Sequence, residues 1–311
     1  MIKLIASDMD GTLINSKHEI SEGNLTSIRK AQEKGITFAI ATGRDYKMVK
    51  PFLDKYNLKC EAIVMNGAEY RDEEGNILGS ISIEKYKVKL IIEEILKVTR
   101  IIELYTNKGV FVNKISEEEI EASINRIKQF NKGMSRESIL KVLNELRKQM
   151  TEFEVEDIDK IIDSDTIFYK IITFDDNKEV IRKLKEKIGE IGGLAVASTS
   201  EYDIEVNDEK AQKGLILSKV AKIKNIENDE VMVLGDSFND YSMFTTFKNS
   251  YAMENAINEI KEIATYITDS NDNDGVAKAI DNILNMHIFR DPGRGRTQKP
   301  GLDSEDPDAP D

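Results

Sequence analysis

Short apolar runs alternate with amphipathic segments through the first third of the chain. Residues 2–7 are mostly apolar and are followed at once by turn residues, the pattern of a buried strand. Ser21 stands where a helix N-cap belongs. It precedes a segment running to about residue 34, with Leu25, Ile28 and Ala31 on one face and Gly35 in the stopping position. Residues 36–41 predict a second strand, 46–56 a second helix, and 62–65 a third strand ending in Asn66-Gly67. Such alternation predicts a parallel sheet with helices on its faces. Ligands of these sheets sit outside the carboxyl ends of the strands, which brings Asp8, Thr42 and Asn66 around one crevice.

From about residue 82 the character changes. Long charged helices are predicted near 84–98, 116–130 and 136–150, mixed with strand-like runs at 101–106, 110–113 and 166–174. Another helix fits 177–191, and strands fit 194–198 and 203–206. The first pattern then resumes. A helix at 214–223 leads to an apolar strand at 231–234, and short strands at 250–253 and 266–268 alternate with helices at 257–264 and 275–284. The expected architecture is α/β: a Rossmann-like parallel-sheet core in two pieces, 1–81 and 209–286, with an α+β domain inserted at 82–208. After about residue 285 the composition shifts, with four of the five prolines between Pro292 and Pro310 beside Gly293, Gly295 and Gly301. Residues 287–311 read as a flexible tail, or as an expression remnant rather than native sequence.

Composition narrows the function classes. A length of 311 residues suits two ordinary domains, and 40% apolar with 32% charged residues describes a soluble globular protein. The net charge of -13 argues against nucleic acid as a partner, because that binding needs a basic face. A small anionic substrate remains compatible, held by a cation and local basic groups. Cys60 is the only cysteine, which rules out an internal disulfide and a cysteine-rich metal site. Asp8 interrupts the opening apolar run before a secretory signal could develop, and no run approaches the ~18 apolar residues of a membrane span. The default expectation is cytoplasmic, with no membrane partner. The two histidines, His18 and His287, read as surface residues. Oligomeric state leaves no readable sign.

Four segments carry candidate chemistry. DMDGTL at 8–13 follows the first strand. A bend at Gly11 can turn both carboxylates towards one site. One could then attack phosphorus while the other acts as acid and base; the plain alternative is an acidic turn. GDSFND at 235–240 offers oxygen ligands suited to Mg²⁺, or else a turn capped by Ser237 or Asp236. ATGR at 41–44 supplies the Thr42 hydroxyl and backbone N–H groups as a seat for phosphate, though a helix cap is the more ordinary reading. Lys213 precedes a helix, where a lone lysine is usually solvated.

In this order and context the segments resemble the haloacid dehalogenase superfamily, and within it the Cof-like phosphatases with a type IIB cap. The resemblance covers nearly all of 1–286, and MNGA at 65–68, AMENA at 252–256 and DGVAKAI at 274–280 are similar to phrases of that group. It implies Asp8 as the nucleophile that becomes an aspartyl-phosphate. Asp10 would be the acid that protonates the leaving oxygen and then the base that activates water. Thr42, Gly43 and Lys213 would hold the phosphoryl group, and Asn239 would contact phosphate or Lys213. The implied cofactor is Mg²⁺, bound by Asp8, the backbone carbonyl of Asp10, and Asp236, with Asp240 supporting the metal shell. Arg44 would touch the substrate or form a surface salt bridge. The implied substrate is a small phosphorylated metabolite of the sugar phosphate, flavin mononucleotide or pyridoxal phosphate type. Glu254 departs from the pattern, standing where many relatives carry glycine. Two other readings are a phosphomutase of the same superfamily and a non-catalytic module that binds a phosphorylated metabolite. The implied roles also agree with electrostatics: a carboxylate meets a phosphate only when cations screen their repulsion.

Overall fold

The computed structural model of the protein describes residues 1–130, 133–148 and 150–288. The expected tail beyond 288 lies outside them, as does the side chain of His287. Chain order begins β1 (Leu4–Ser7), α1 (Glu22–Glu33), β2 (Thr37–Ala41), α2 (Tyr46–Tyr56), β3 (Glu61–Val64), β4 (Glu69–Arg71), β5 (Ile77–Ser80). It continues α3 (Lys85–Leu96), β6 (Glu103–Thr106), β7 (Gly109–Asn113), α4 (Glu117–Phe130), α5 (Arg136–Arg147), β8 (Thr151–Phe153), α6 (Ile158–Asp163), β9 (Phe168–Phe174), α7 (Lys178–Gly189), β10 (Leu194–Ala197) and β11 (Asp203–Asp208). It closes α8 (Lys213–Ile223), β12 (Val231–Gly235), α9 (Tyr241–Thr246), β13 (Asn249–Ala252), α10 (Asn258–Ile263), β14 (Tyr266–Ile267) and α11 (Gly275–Ile288).

Two sheets result. The first has the order β14-β13-β12-β1-β2-β3-β4-β5 and draws on both ends of the chain. It is parallel from β14 to β3 and antiparallel through β4 and β5. β1 is fully buried, which is why its sequence is a continuous apolar run rather than an alternating one. It pairs with β12 on one side and β2 on the other, so strand order reverses there and a crevice opens at their carboxyl ends. Ser21 caps α1 by accepting the N–H of Asn24, and Gly35 has φ of +80° just beyond the helix end.

The second sheet, β10-β11-β9-β6-β7-β8, is antiparallel except for the β7–β8 pair. Phe168, Ile171, Leu104, Ile204 and Val206 face helices α3, α6 and α7 in their own apolar cluster, together with Ile91, Ile95, Leu184 and Ile188. The other face turns Tyr105, Ile172 and Phe174 into the core cluster of the first sheet. A register shift between Tyr105 and Thr106 breaks the β6–β9 ladder, and Tyr169 is the residue passed over. The chain leaves the first sheet where Ile81 donates to the carbonyl of Ala68 at 2.8 Å. It returns at Gln212, whose backbone would lie 2.8 Å from a Cβ placed on Gly67. Departure and return therefore flank one dipeptide. Among the described residues, no helix is long and apolar enough to cross a membrane.

Candidate active site

Four segments meet at the carboxyl ends of β1, β2 and β12. Asp8 directly follows β1, anchored by its own N–H on the carbonyl of Leu234 at 2.9 Å. The bend after it depends on Gly11, with φ of +79°; a Cβ there would stand 2.5 Å from Asp236 Oδ2. A side chain at that position would therefore collide with the carboxylate that the turn is built to receive. Thr12 donates to Asp236 Oδ1 at 2.7 Å, tying the first motif to the fourth.

Lys213 begins α8 but is fully buried, against the reading of a solvated lysine. Its Nζ donates to Asp8 Oδ1 at 2.6 Å and to Asp240 Oδ1 at 2.7 Å. Gly214 makes that burial feasible, because a Cβ there would lie 2.1 Å from the carbonyl of Ser242. Burial works against the ammonium charge, but the carboxylates of Asp240 and Asp8 outweigh it and hold the Lys213 pKa above its usual value. Asp240 is also fully buried, and its Oδ2 accepts the N–H groups of Asp236 at 2.9 Å and Ser237 at 3.1 Å. Asp240 thus shapes the GDSFND turn and holds Lys213.

Ligand oxygens of Asp8, Asp236 and Asp240 lie within 4.8 Å of one another. Three carboxylates against one ammonium leave the cluster short of positive charge. The consequence is a proton affinity above normal. Burial, the neighbouring Asp240 and Asp236 raise the Asp8 pKa well above the carboxylate range despite Lys213. Burial and Asp240 push Asp236 up to about 7. Oδ1 of Asp8 is taken by Lys213 and Oδ1 of Asp236 by Thr12, while the Oδ2 of each takes no hydrogen bond described among these residues. An all-oxygen donor set with excess negative charge fits a hard divalent cation.

Asp10 lines the same cleft as Asp8, with its side chain about half exposed. Arg44 donates to it through Nε at 2.7 Å and Nη2 at 2.5 Å. Arg44 thus forms a bidentate salt bridge with the second carboxylate. Thr42 is buried, and its Oγ1 accepts the N–H of Arg44 at 3.2 Å. The helix-cap role belongs instead to Asp45, which accepts from Met48. Asn239 has no described bond to Lys213; it donates to Asn66 Oδ1 at 3.4 Å and accepts from Ser237 Oγ at 2.9 Å. Glu254 is exposed, with its backbone N–H on the carbonyl of Asp269. His18 is exposed at the rim of the cleft.

The cleft measures about 950 Å³ and is walled on one side by Asp8, Asp10, Thr42 and Asp236, on the other by Tyr105, Lys170, Ile172 and Glu205 of the second sheet. Lys170 is 2% exposed and reaches across to the carbonyl of Gly43 at 2.6 Å, with Glu205 Oε1 at 3.4 Å and the Tyr105 ring 4.6 Å away. Asn66 donates to Glu205 Oε2, and both Met65 and Asn66 take left-handed backbone angles, φ of 50° and 60°. Strain of this kind, about 1–3 kcal/mol per residue, persists where surroundings enforce it. Removing one member of the buried Lys170–Glu205 pair leaves a lone charge at a cost of about 3–5 kcal/mol. We expect Glu205→Ala to lower the calorimetric Tm by about 6–15 °C. The double variant Lys170→Met/Glu205→Ala should recover more than half of that loss; additive losses would refute the pairing.

The family described as haloacid dehalogenase-like hydrolase matches residues 5–280. The chain belongs to the haloacid dehalogenase-like hydrolases. It is a phosphatase of their Cof-like group. Among the relatives of this hydrolase is the 5-amino-6-(5-phospho-D-ribitylamino)uracil phosphatase YwtE of Bacillus subtilis, 31% identical over 283 residues, 91% of this chain and 98% of that one. Phosphatase YwpJ of Bacillus subtilis is 31% identical over 290 residues, covering 91% of this chain and all of its own length (100%). A solved haloacid dehalogenase-like hydrolase from B. subtilis superposes with a TM-score of 0.81 at 29% identity, over 91% of this chain and 100% of that one.

Proposed function

We propose that this hydrolase is a Mg²⁺-dependent phosphomonoesterase that releases phosphate from a small phosphorylated metabolite through an aspartyl-phosphate on Asp8. The observation that carries this reading is the Asp8 carboxylate, held by Lys213 at 2.6 Å beside Asp236, at the floor of a cleft with room for a metabolite. Asp8 Oδ2 and Asp236 would hold the ion, with the Asp10 carbonyl as the third protein ligand. Bound there, Mg²⁺ supplies the positive charge that lets a carboxylate approach a phosphate.

In the first step an Asp8 oxygen bonds to phosphorus, the ester P–O bond breaks, and the leaving oxygen takes a proton from Asp10. In the second, Asp10 takes a proton from water as that oxygen bonds to phosphorus, the P–O bond to Asp8 breaks, and phosphate leaves. Lys213 keeps Asp8 aligned, while Thr42 and the Gly43 backbone seat the phosphoryl oxygens. Arg44 holds Asp10 over the cleft until substrate arrives and competes for the guanidinium. Residues 82–208 would act as a cap over a core formed by 1–81 and 209–286, excluding water between the steps.

The test is phosphate release from a generic aryl phosphate, with and without chelator, followed by a panel of phosphorylated metabolites. That panel includes sugar phosphates, flavin mononucleotide, pyridoxal phosphate and the compound named for YwtE. Mg²⁺-dependent release supports the reading. Isomerised hexose phosphate without free phosphate would favour a mutase instead, and tight binding without turnover a non-catalytic module.

Metal linkage supplies a second measurement. Because the folded pKa of Asp236 is raised to about 7, the folded state binds a proton that the unfolded chain has released. The contribution of Asp236 to the stability of metal-free protein therefore falls as pH rises from about 4 to about 7, the opposite of an ordinary paired carboxylate. Mg²⁺ at about 100 times its Kd adds about 2.7 kcal/mol, or about 5–10 °C in Tm. We expect that shift at pH 7.5 and less than half of it at pH 5, where protons compete. An equal shift at both values would refute the ligand assignment.

A further inference from the structure

A second cavity lies apart from the catalytic cleft. It measures about 270 Å³ and sits between the second sheet and the helix pair α4–α5, walled by Val112, Ile120, Leu140, Leu143 and Phe174. One polar atom in its wall stands out. Asn113, at the end of β7, is 1% exposed; its Nδ2 donates to the carbonyl of Arg100 at 2.9 Å, which fixes the orientation of the amide. Its Oδ1 is buried without any hydrogen-bond partner, the one such side-chain atom among the described residues. Buried polar atoms are almost always satisfied, so an orphan in a cavity wall implies a missing donor. A single water takes up about 30 Å³, far less than this space, whose mainly apolar walls also carry Glu103, Ser123, Asn144 and Arg147.

We propose that this cavity is a binding site for a small, largely apolar molecule that carries one N–H or O–H donor for Asn113 Oδ1. A compact fused-ring heterocycle is the chemical class that fits: flat apolar surface for the aliphatic walls and one donor on its edge. The site also has a route to the cleft. Glu103 borders the cavity and accepts the Tyr105 hydroxyl at 3.2 Å, and Tyr105 in turn lines the catalytic cleft beside Lys170. An occupant would bear on the Tyr105 wall of the cleft, without touching the reacting atoms.

Indole and indene are near-isosteric probes that differ in the single N–H. Titrated calorimetrically into the full-length protein with Mg²⁺, indole should saturate at one site and bind roughly five- to tenfold tighter than indene, the worth of one net hydrogen bond. Val112→Phe, which fills the cavity and leaves Asn113 in place, should weaken indole at least tenfold while phosphate release persists. Asn113→Leu should bring indole and indene to equal affinity. Saturating orthovanadate, which addresses the cleft, should leave the indole stoichiometry at one. Equal affinity of the two probes for wild-type protein, absence of saturation, or displacement by vanadate would each overturn the proposal; the first two tests need no variant to fold.

Discussion

Asp8→Asn should abolish phosphate release, by more than about 10⁴-fold in kcat, since an amide cannot form the acyl phosphate and the route through Asp8 closes. The same substitution should make metal-free protein more stable. Asp8 carries a raised pKa because burial, Asp240 and Asp236 all disfavour its charge, so a neutral isostere relieves the cluster. A gain of about 1–3 kcal/mol, or several degrees in Tm at pH 7.5, is expected. Mg²⁺ should then stabilise the variant less than the wild type. Acid quenching during turnover of labelled substrate should trap label on wild-type protein and none on the variant. Retained turnover in Asp8→Asn would transfer the nucleophile's role elsewhere and sink the mechanism. Loss of activity together with loss of fold would contradict the charge argument.

Lys213→Met carries the next largest effect, and in the opposite direction for stability. The ammonium is buried between two carboxylates at 2.6 and 2.7 Å, so its removal leaves Asp8 and Asp240 unscreened in a dry site. A cost of about 3–5 kcal/mol is expected, with kcat/KM down by about 10³-fold or more. Mg²⁺ should rescue part of the stability because it supplies charge to the same cluster. It should not rescue turnover, because Asp8 loses its restraint. Lys213→Arg is expected to fail as well: the fully buried Nζ leaves no room for a planar fork. Calorimetry and steady-state kinetics on the pair of variants decide this, and a Lys213→Arg enzyme near wild-type activity would refute the steric claim.

The core was legible where a strand is buried on both faces and stops at a turn. The run at 2–7 becomes β1, the run at 231–234 becomes β12, and each ends in a motif whose side chains meet. Ser21 and Gly35 marked the limits of α1 for the same local reasons. The β4–β5 hairpin went unread, because its strands are short and the second is exposed along its whole length. β8 and α6 were hidden in a charged stretch whose apolar positions are too few to show a period.

Sequence order singled out Asp8, Asp10, Thr42, Lys213 and Asp236, and the structure brings them around one cleft. It was not enough to find the partners. Arg44 on Asp10 is a pairing across 34 residues that no spacing rule encodes. Asn255, which donates to the carbonyl of Gly11 at 2.8 Å, lay inside a recognised phrase without a role. Lys170 did carry a signal: it is the lone charge in FYKIITF, a strand buried at all seven positions. A charge placed there needs partners, and the structure supplies Glu205 and the carbonyl of Gly43. Because β9 is buried on both faces, its inward side could not be chosen from polarity alone.

The shared doorway at Gly67 and Ala68 has a consequence for domain exchange. Since Ile81 and Gln212 attach beside each other, the excursion between them leaves and rejoins the catalytic sheet at a single place. An exchange of that excursion would leave the segments bearing Asp8, Thr42, Lys213 and Asp236 within the first sheet and its helices. Such a graft would need to match the backbone stitch at Ala68, the side-chain-free notch at Gly67, and the contacts that Lys170, Glu205 and Asn207 make with Gly43, Asn66 and Met65.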